Sequence, residues 1–189
     1  MDIVLDKRER ILAAAARLIV RNGLQCSMAA IAEEANVATG SLYNYFDSKE
    51  ALVLGVYTRV TELMTERLVT PPDPASSGEE PVRRYIENYI AFIWEDADRA
   101  VLFDYLDNNP LITLSDARTI FGAFVEHGIA MIEMAQAAGL VRAGPATMIM
   151  SFVRGSIRNT LKRRRMTETT LSAADRQLVA DMCWAAIAA

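Results

Sequence analysis

The chain has 189 residues, 52% of them hydrophobic, and a net charge of −4. That length carries one large domain, or a small domain fused to a mid-sized one, and so high an apolar share supports a sizeable core rather than disorder. Ala, Leu, Ile, Met, Arg and Glu dominate, most of which favour helices, and alternating β-branched runs are scarce. The fold class expected is all-α.

Several functions are disfavoured at once. The apolar run from Ile11 to Val20 contains Arg17 and has about half the roughly 20 residues of a membrane span. The N-terminus has no apolar core followed by a small-residue cleavage site, so a cytoplasmic location is expected. Cys26 and Cys183 match no metal or redox spacing, and His127 is the single histidine, which argues against a His-based metal site or triad. No nucleophile elbow or phosphate loop is present, so neither enzymatic activity, a metal nor a cofactor is expected. Residues 1–50 carry six cations (Lys7, Arg8, Arg10, Arg17, Arg21, Lys49) against seven acids. Composition therefore does not announce a nucleic-acid binder, and any such role must rest on arrangement.

In chain order, Asp6 with Glu9 reads as a capping box opening a first helix over about 6–22, with Ile11, Ala14, Ala15, Leu18 and Ile19 at helical spacing. Gly23 suits the positive φ that ends it. Ser27 caps a second helix, about 28–35, with Met28, Ile31, Ala32 and Ala35 inward. Asn36 tolerates the sharp turn that follows, with Val37 beneath it. Thr39-Gly40-Ser41 opens a short third helix ending near Phe46, with Leu42 and Phe46 inward. Asp47 and Ser48 can cap a fourth helix, which runs to about Leu68 through Leu52, Val56, Val60, Leu63 and Met64.

The run from Pro71 to Gly78 is the clearest break. Pro81 suits the first turn of a fifth helix with an apolar stripe of Val82, Tyr85, Ile86, Tyr89, Ile90 and Ile93. A short helix over about 98–107 stops before Asn108-Asn109-Pro110. Ser115 caps a long helix to Gly139, Pro145 starts another to about Arg165, and Ser172 with Asp175 opens the last.

Two short helices joined by a tight turn are what a helix-turn-helix requires, and here they fall at 27–46. The first braces against the DNA backbone and the second enters the major groove. Small residues Thr39, Gly40 and Ser41 at the tip of the second helix allow close approach to base edges. Tyr43 and Tyr45 lie off the face used by Leu42 and Phe46, so their hydroxyls can reach phosphates. Lys49 can add a charged contact. Ser27 and the backbone N–H of Met28 form a helix start that attracts an anion.

The ordered run Ile31-Ala32-Glu33-Glu34-Ala35-Asn36-Val37-Ala38-Thr39-Gly40-Ser41-Leu42-Tyr43-Asn44-Tyr45-Phe46-Asp47-Ser48-Lys49-Glu50-Ala51-Leu52 resembles the signature of TetR/AcrR-type transcriptional regulators, the close match covering about residues 8–56. The resemblance implies an N-terminal three-helix helix-turn-helix domain, residues 1–50. A linking helix would join it to a C-terminal helical ligand-binding and dimerisation domain, residues 51–189, giving about nine helices. It also implies that Ser27, Met28, Thr39, Gly40, Ser41, Tyr43, Tyr45 and Lys49 occupy DNA-contacting positions. Ala29 departs from members with a longer polar side chain there, which moves base readout onto the third helix. Asn36 replaces the more usual Gly and keeps the turn.

Ile120, Phe121, Phe124, His127, Gly128, Met131, Ile132, Met134 and Ala135 leave the seventh helix apolar on most sides, the pattern of a buried helix. With Tyr89, Trp94, Phe103 and Phe152 this pattern fits either an ordinary core or a cavity with adaptable Met walls. The resemblance implies the cavity, lined by Tyr89, Trp94, Phe103, Phe124, His127, Met131 and Phe152. His127 reads as a satisfied core histidine or as a hydrogen-bonding ligand contact. The last two helices have apolar faces that either cover the monomer's own core or form a dimer. The resemblance implies a homodimer interface through Phe152, Ile157, Leu161, Leu178, Met182 and Ala186. Arg154, Arg158 and Lys162 form one stripe, a solvated face or a patch for an acidic partner. The function expected is a ligand-responsive regulator, a repressor that binds a palindromic DNA operator as a homodimer and is released by a small-molecule effector. The rival is a dimeric helical interaction protein of the same fold that has lost DNA binding, motivated by the acidic balance of 1–50.

Overall fold

A computed structural model describes residues 6–69, 78–107 and 114–189. Among them are nine α-helices: α1 (Lys7–Asn22), α2 (Met28–Glu34), α3 (Thr39–Tyr43), α4 (Lys49–Leu68), α5 (Glu80–Glu95), α6 (Ala97–Asp107), α7 (Leu114–Ala137), α8 (Ala146–Arg165) and α9 (Ala173–Ile187). The protein is all-α, as its composition predicts. One 3-10 turn over Gly23–Gln25, which the sequence pattern does not signal, joins α1 to α2. Residues 71–77 of the expected break at Pro71–Gly78, and the Asn108-Asn109-Pro110 stop, lie outside the described residues.

The helix ends follow local chemistry. Ser27 Oγ accepts the Ala30 N–H at 3.1 Å, Ser48 Oγ that of Ala51 at 3.1 Å and Ser172 Oγ that of Asp175 at 3.0 Å. Each cap satisfies an N–H that has no partner inside its helix. Asp6 makes no side-chain cap, and its expected box partner Glu9 pairs instead with Arg59 on α4. Ser115 lies inside α7 rather than before it, and its carbonyl accepts from Thr119. α2 ends in a Schellman turn. The Val37 N–H bonds the Ala32 carbonyl at 2.9 Å and the Asn36 N–H that of Glu33 at 3.0 Å, with Asn36 at φ 52°.

Packing divides the chain into two compact units, one of Met1–Glu62 with Val101–Phe121, the other of Leu63–Ala100 with Gly122–Ala189. The first centres on Ile11, Leu12, Ile31, Leu42, Leu52 and Tyr57, all nearly inaccessible to solvent. Each such aliphatic side chain contributes roughly 1.5–3 kcal/mol on burial. Gly55 on α4 permits a close approach there, since a Cβ would stand 3.0 Å from both Leu12 Cδ2 and Phe46 Cε1.

In the second unit α5 packs against α8 and α9, which also pack on each other. The α5 stripe is buried as expected. The C-terminal end of α5 is held by two arginines. Arg99 donates to the Phe92 carbonyl, and Arg165 to those of Ile93 and Trp94. A cation there meets the negative end of the helix dipole.

Three burial expectations fail. Leu63 is exposed. α7 is amphipathic rather than buried all round: Phe124, Ile132 and Ala135 face inward while Val125 and Met134 face solvent. In the Arg154, Arg158, Lys162 stripe only Lys162 is solvated, and both arginines are half-buried.

Candidate nucleic-acid interface

α1 and α2 brace the turn that presents α3. Arg10 on α1 reaches over to the end of α2, where its Nη2 donates to the carbonyls of Ala35 at 2.9 Å and Asn36 at 2.8 Å. On the same helix Arg17 and Arg21 pair with Glu34 at 2.8 Å and 3.5 Å. The Arg17 hydrogen bond, ahead of the Arg21 charge, holds the Glu34 carboxyl below the usual carboxylate range. Glu9 is likewise paired, with Arg8 and Arg59. Two of the acids that weigh against DNA binding in the composition are thus neutralised within the fold. Arg8 also lies over the Phe46 ring, 5.5 Å from its centroid.

With that frame fixed, Leu42 and Phe46 anchor α3 from beneath, at 0% and 5% exposure. Thr39 and Gly40 are exposed and Ser41 half-exposed; Tyr43 and Tyr45 stand out at 48% and 41%. α3 opens at Ala38, which has no side chain to cap it, so its first N–H groups have no side-chain acceptor of their own. A Cβ on Gly40 would meet no atom within 4 Å. The fold therefore does not demand glycine at this position, although an approaching partner can. The outward surface of 39–45 carries hydroxyls and an amide but no charge.

Ser27 is exposed and Lys49 half-exposed at the flanks. Lys49 lies close enough to Cys26 to oppose the upward push of burial on that thiol. The Met28 side chain points inward, so only its backbone N–H is available for contact. Arg10, which sequence reasoning did not single out, is the residue that fixes the turn. Its only sequence signal is an arginine one turn into α1.

The C-terminal candidates separate. Tyr89 stacks on Tyr85, with ring centroids 6.1 Å apart, and on Phe124 at 6.5 Å. Arg154 lies over the Phe124 ring at 3.9 Å, and His127 feels its charge. Met131 is half-buried one turn beyond His127. Trp94 sits instead under the Arg165 guanidinium, at 4.7 Å. Phe103 falls in the first unit, in edge contact with Phe121. Phe152 is 51% exposed on the outer side of α8, so it lines no interior wall. The interface candidates also divide. Ile157 and Leu161 are 0% exposed, spent on the chain's own core, whereas Phe152, Leu178 and Met182 are all more than half exposed. Ala186 is intermediate, and Met148 at 68% belongs with the exposed set.

An N-terminal unit of this construction, a Schellman turn holding an exposed short helix over a buried Leu42-Phe46 pair, is a helix-turn-helix. Residues 11–56 match the model of the bacterial regulatory proteins of the tetR family. An uncharacterized HTH-type transcriptional regulator of Haemophilus influenzae is 36% identical over 92 residues, 48% of this chain. The matched stretch spans 49% of that relative's length. A solved TetR-family transcriptional regulator of Haemophilus influenzae superposes with a TM-score of 0.80 at 25% identity, covering 97% of each chain. The transcriptional regulator FadR of Bacillus subtilis, solved in complex with stearoyl-CoA, shares the fold at 20% identity, with a TM-score of 0.77 over 93% of this chain and 96% of its own. Residues 11–56 thus match the helix-turn-helix of tetR-family regulatory proteins, and the chain as a whole has the fold of solved TetR-family regulators.

Proposed function

We propose that the protein is a ligand-responsive repressor that binds a pseudo-palindromic DNA operator as a homodimer and is released by a small molecule. The observation that carries this is the exposed, uncharged tip of α3. There Thr39, Gly40 and Ser41 offer small polar groups to base edges, and Tyr43 and Tyr45 offer hydroxyls to phosphates. Ser27, the Met28 N–H and Lys49 add flanking backbone contacts, within a DNA-binding domain of residues 1–50. α2 has seven residues, so its end contributes through Ser27 and one N–H more than through a helix dipole.

Residues 51–189 form the effector and dimerisation domain in this reading. The exposed apolar side chains of Met148 and Phe152 on α8 and of Leu178 and Met182 on α9 support pairing with a second copy, because two adjacent apolar faces are costly to leave in water. Two copies would place their α3 helices about 34–36 Å apart, one turn of DNA. An effector held among Tyr89, Phe124, His127 and Met131 releases DNA only if it binds more tightly to a state with the wrong spacing. α4 would carry that shift.

The test is a gel-shift titration with the DNA upstream of the protein's own gene, repeated across salt concentrations. Binding that weakens steeply with salt is the expected result, because phosphate neutralisation releases counterions. Absent or salt-insensitive binding rejects the reading.

A further inference from the structure

Arg154 is a half-buried cation with no acidic partner among the described residues. Its Nε donates to Tyr85 Oη at 2.7 Å and its Nη2 to the Phe124 carbonyl at 3.1 Å. Both partners are neutral. Other arginines of the same unit are compensated: Arg83 by Glu79 and Asp181, Arg164 by Asp175. Arg165 lies on the negative end of α5. Taking a charge out of water without a counter-charge is costly, so Arg154 is placed to draw an anion from outside.

The surroundings keep the guanidinium in place. At Gly128 on α7 a Cβ would stand 2.4 Å from Arg154 Nη2, so any other residue there would push the group aside. Glycine is disfavoured inside helices, and its use here leaves room for that guanidinium. A guanidinium has five N–H donors, of which two are engaged, and the remaining fork matches the two oxygens of a carboxylate.

We propose that Arg154, with Tyr85 and His127 beside it, is the anion-binding end of the effector site, and that the effector is a monocarboxylate with an apolar body. This rests on the reading of residues 51–189 as the ligand-binding domain. A single cation selects a single negative charge, since His127, held toward its neutral form by burial and by Arg154, supplies no second one. Instead its ring N–H can donate to the carboxylate. The half-buried Met131 offers apolar surface beside the guanidinium, while the stacked Tyr89 and Phe124 rings, 0% and 2% exposed, must part to admit the rest of the molecule.

The experiment titrates the full chain, without DNA, with octanoate, octanol and octylamine, three probes that differ only in the head group, read by calorimetry. Octanoate is expected to bind at least about tenfold more tightly than octanol, with octylamine weakest. Arg154→Gln brings octanoate down to the octanol level, Arg154→Lys keeps part of the preference, and Gly128→Ala, which displaces the guanidinium without removing it, behaves like Arg154→Gln. A merely structural Arg154 would instead weaken octanoate and octanol together. That result, equal affinities for the two in the unaltered protein, or no octanoate binding overturns the proposal. Gel shifts on the same variants keep the two readings apart. Salt-dependent DNA binding beside a missing carboxylate preference removes only the effector class, and a carboxylate preference without DNA binding removes only the repressor.

Discussion

The Arg10 guanidinium reaches the carbonyl of Asn36, 2.8 Å away, at the one non-glycine residue with positive φ among those described. Asn36 is the pivot between α2 and α3, and its left-handed backbone leaves its own carbonyl and that of Ala35 without helical partners. A charged donor from α1 satisfies both, which ties the angle of α3 to the first helix. Replacing Arg10 with Ala should cost about 1.5–3 kcal/mol, the range for hydrogen bonds from a charged group. Urea unfolding would measure that, and gel shifts should show weaker DNA binding although Arg10 itself faces the protein. Unchanged stability in R10A would mean that water replaces the guanidinium without loss.

Gly40 separates the needs of the fold from those of DNA. Its Cβ position is empty of protein atoms and its φ is not positive, so Ala fits without strain. Helix propensity alone then favours Gly40→Ala by up to about 1 kcal/mol. The same methyl would stand on the surface that approaches base edges. The expected pair of outcomes is a higher melting temperature together with operator affinity reduced by roughly tenfold, the effect of about 1.4 kcal/mol. If affinity stays level while stability rises, α3 does not approach DNA closely at this point.

The exposed and buried halves of α8 predict opposite behaviour for two apolar substitutions five residues apart. Phe152→Asp places a charge where the side chain is already 51% exposed, so the fold should survive while the dimer dissociates in sedimentation. Ile157→Asp buries an unpaired carboxylate at a position with 0% exposure and should unfold the chain by several kcal/mol. A dimer that persists in F152D would place the contact between copies elsewhere.

Local rules made most of this fold readable. The serine caps at 27, 48 and 172, the positive φ of Gly23 and Asn36, and the periodic stripes of α1, α2 and α5 all follow from neighbours within a few residues. What failed depended on distant partners. Glu9 satisfies a capping pattern but bonds Arg59, fifty residues on. Met148, Ile149, Phe152 and Val153 read as one apolar face, yet they divide between solvent and core because α5 and α9 cover only one side of α8. Arg10 and Arg154 are similar cases. Each belongs to its helix's polar pattern, and only the tertiary fold gives it a carbonyl or a ring to meet.

His127 gives a pH dependence that can be assigned to one group. Burial, and after it the Arg154 charge arriving from α8, lowers its pKa below the ordinary imidazole value of about 6.5. The Tyr85 hydroxyl, which Arg154 also meets, is raised by its own burial and stays neutral throughout this range. Because the folded form binds the proton less readily than the unfolded one, the unfolded chain gains protons first as acid is added. The contribution of neutral His127 is thus fully present above about pH 6.5 and is lost as pH falls through the lower folded value. The lowered carboxylates Glu34, Glu50 and Asp175 titrate in a more acidic window, so they do not obscure it. Unfolding free energies of the unaltered protein and His127→Gln should therefore converge between about pH 7 and 5, the variant losing less stability over that interval. Parallel curves would show that the imidazole remains solvated in the folded chain, and would weaken the case for its facing a ligand carboxylate as a neutral donor.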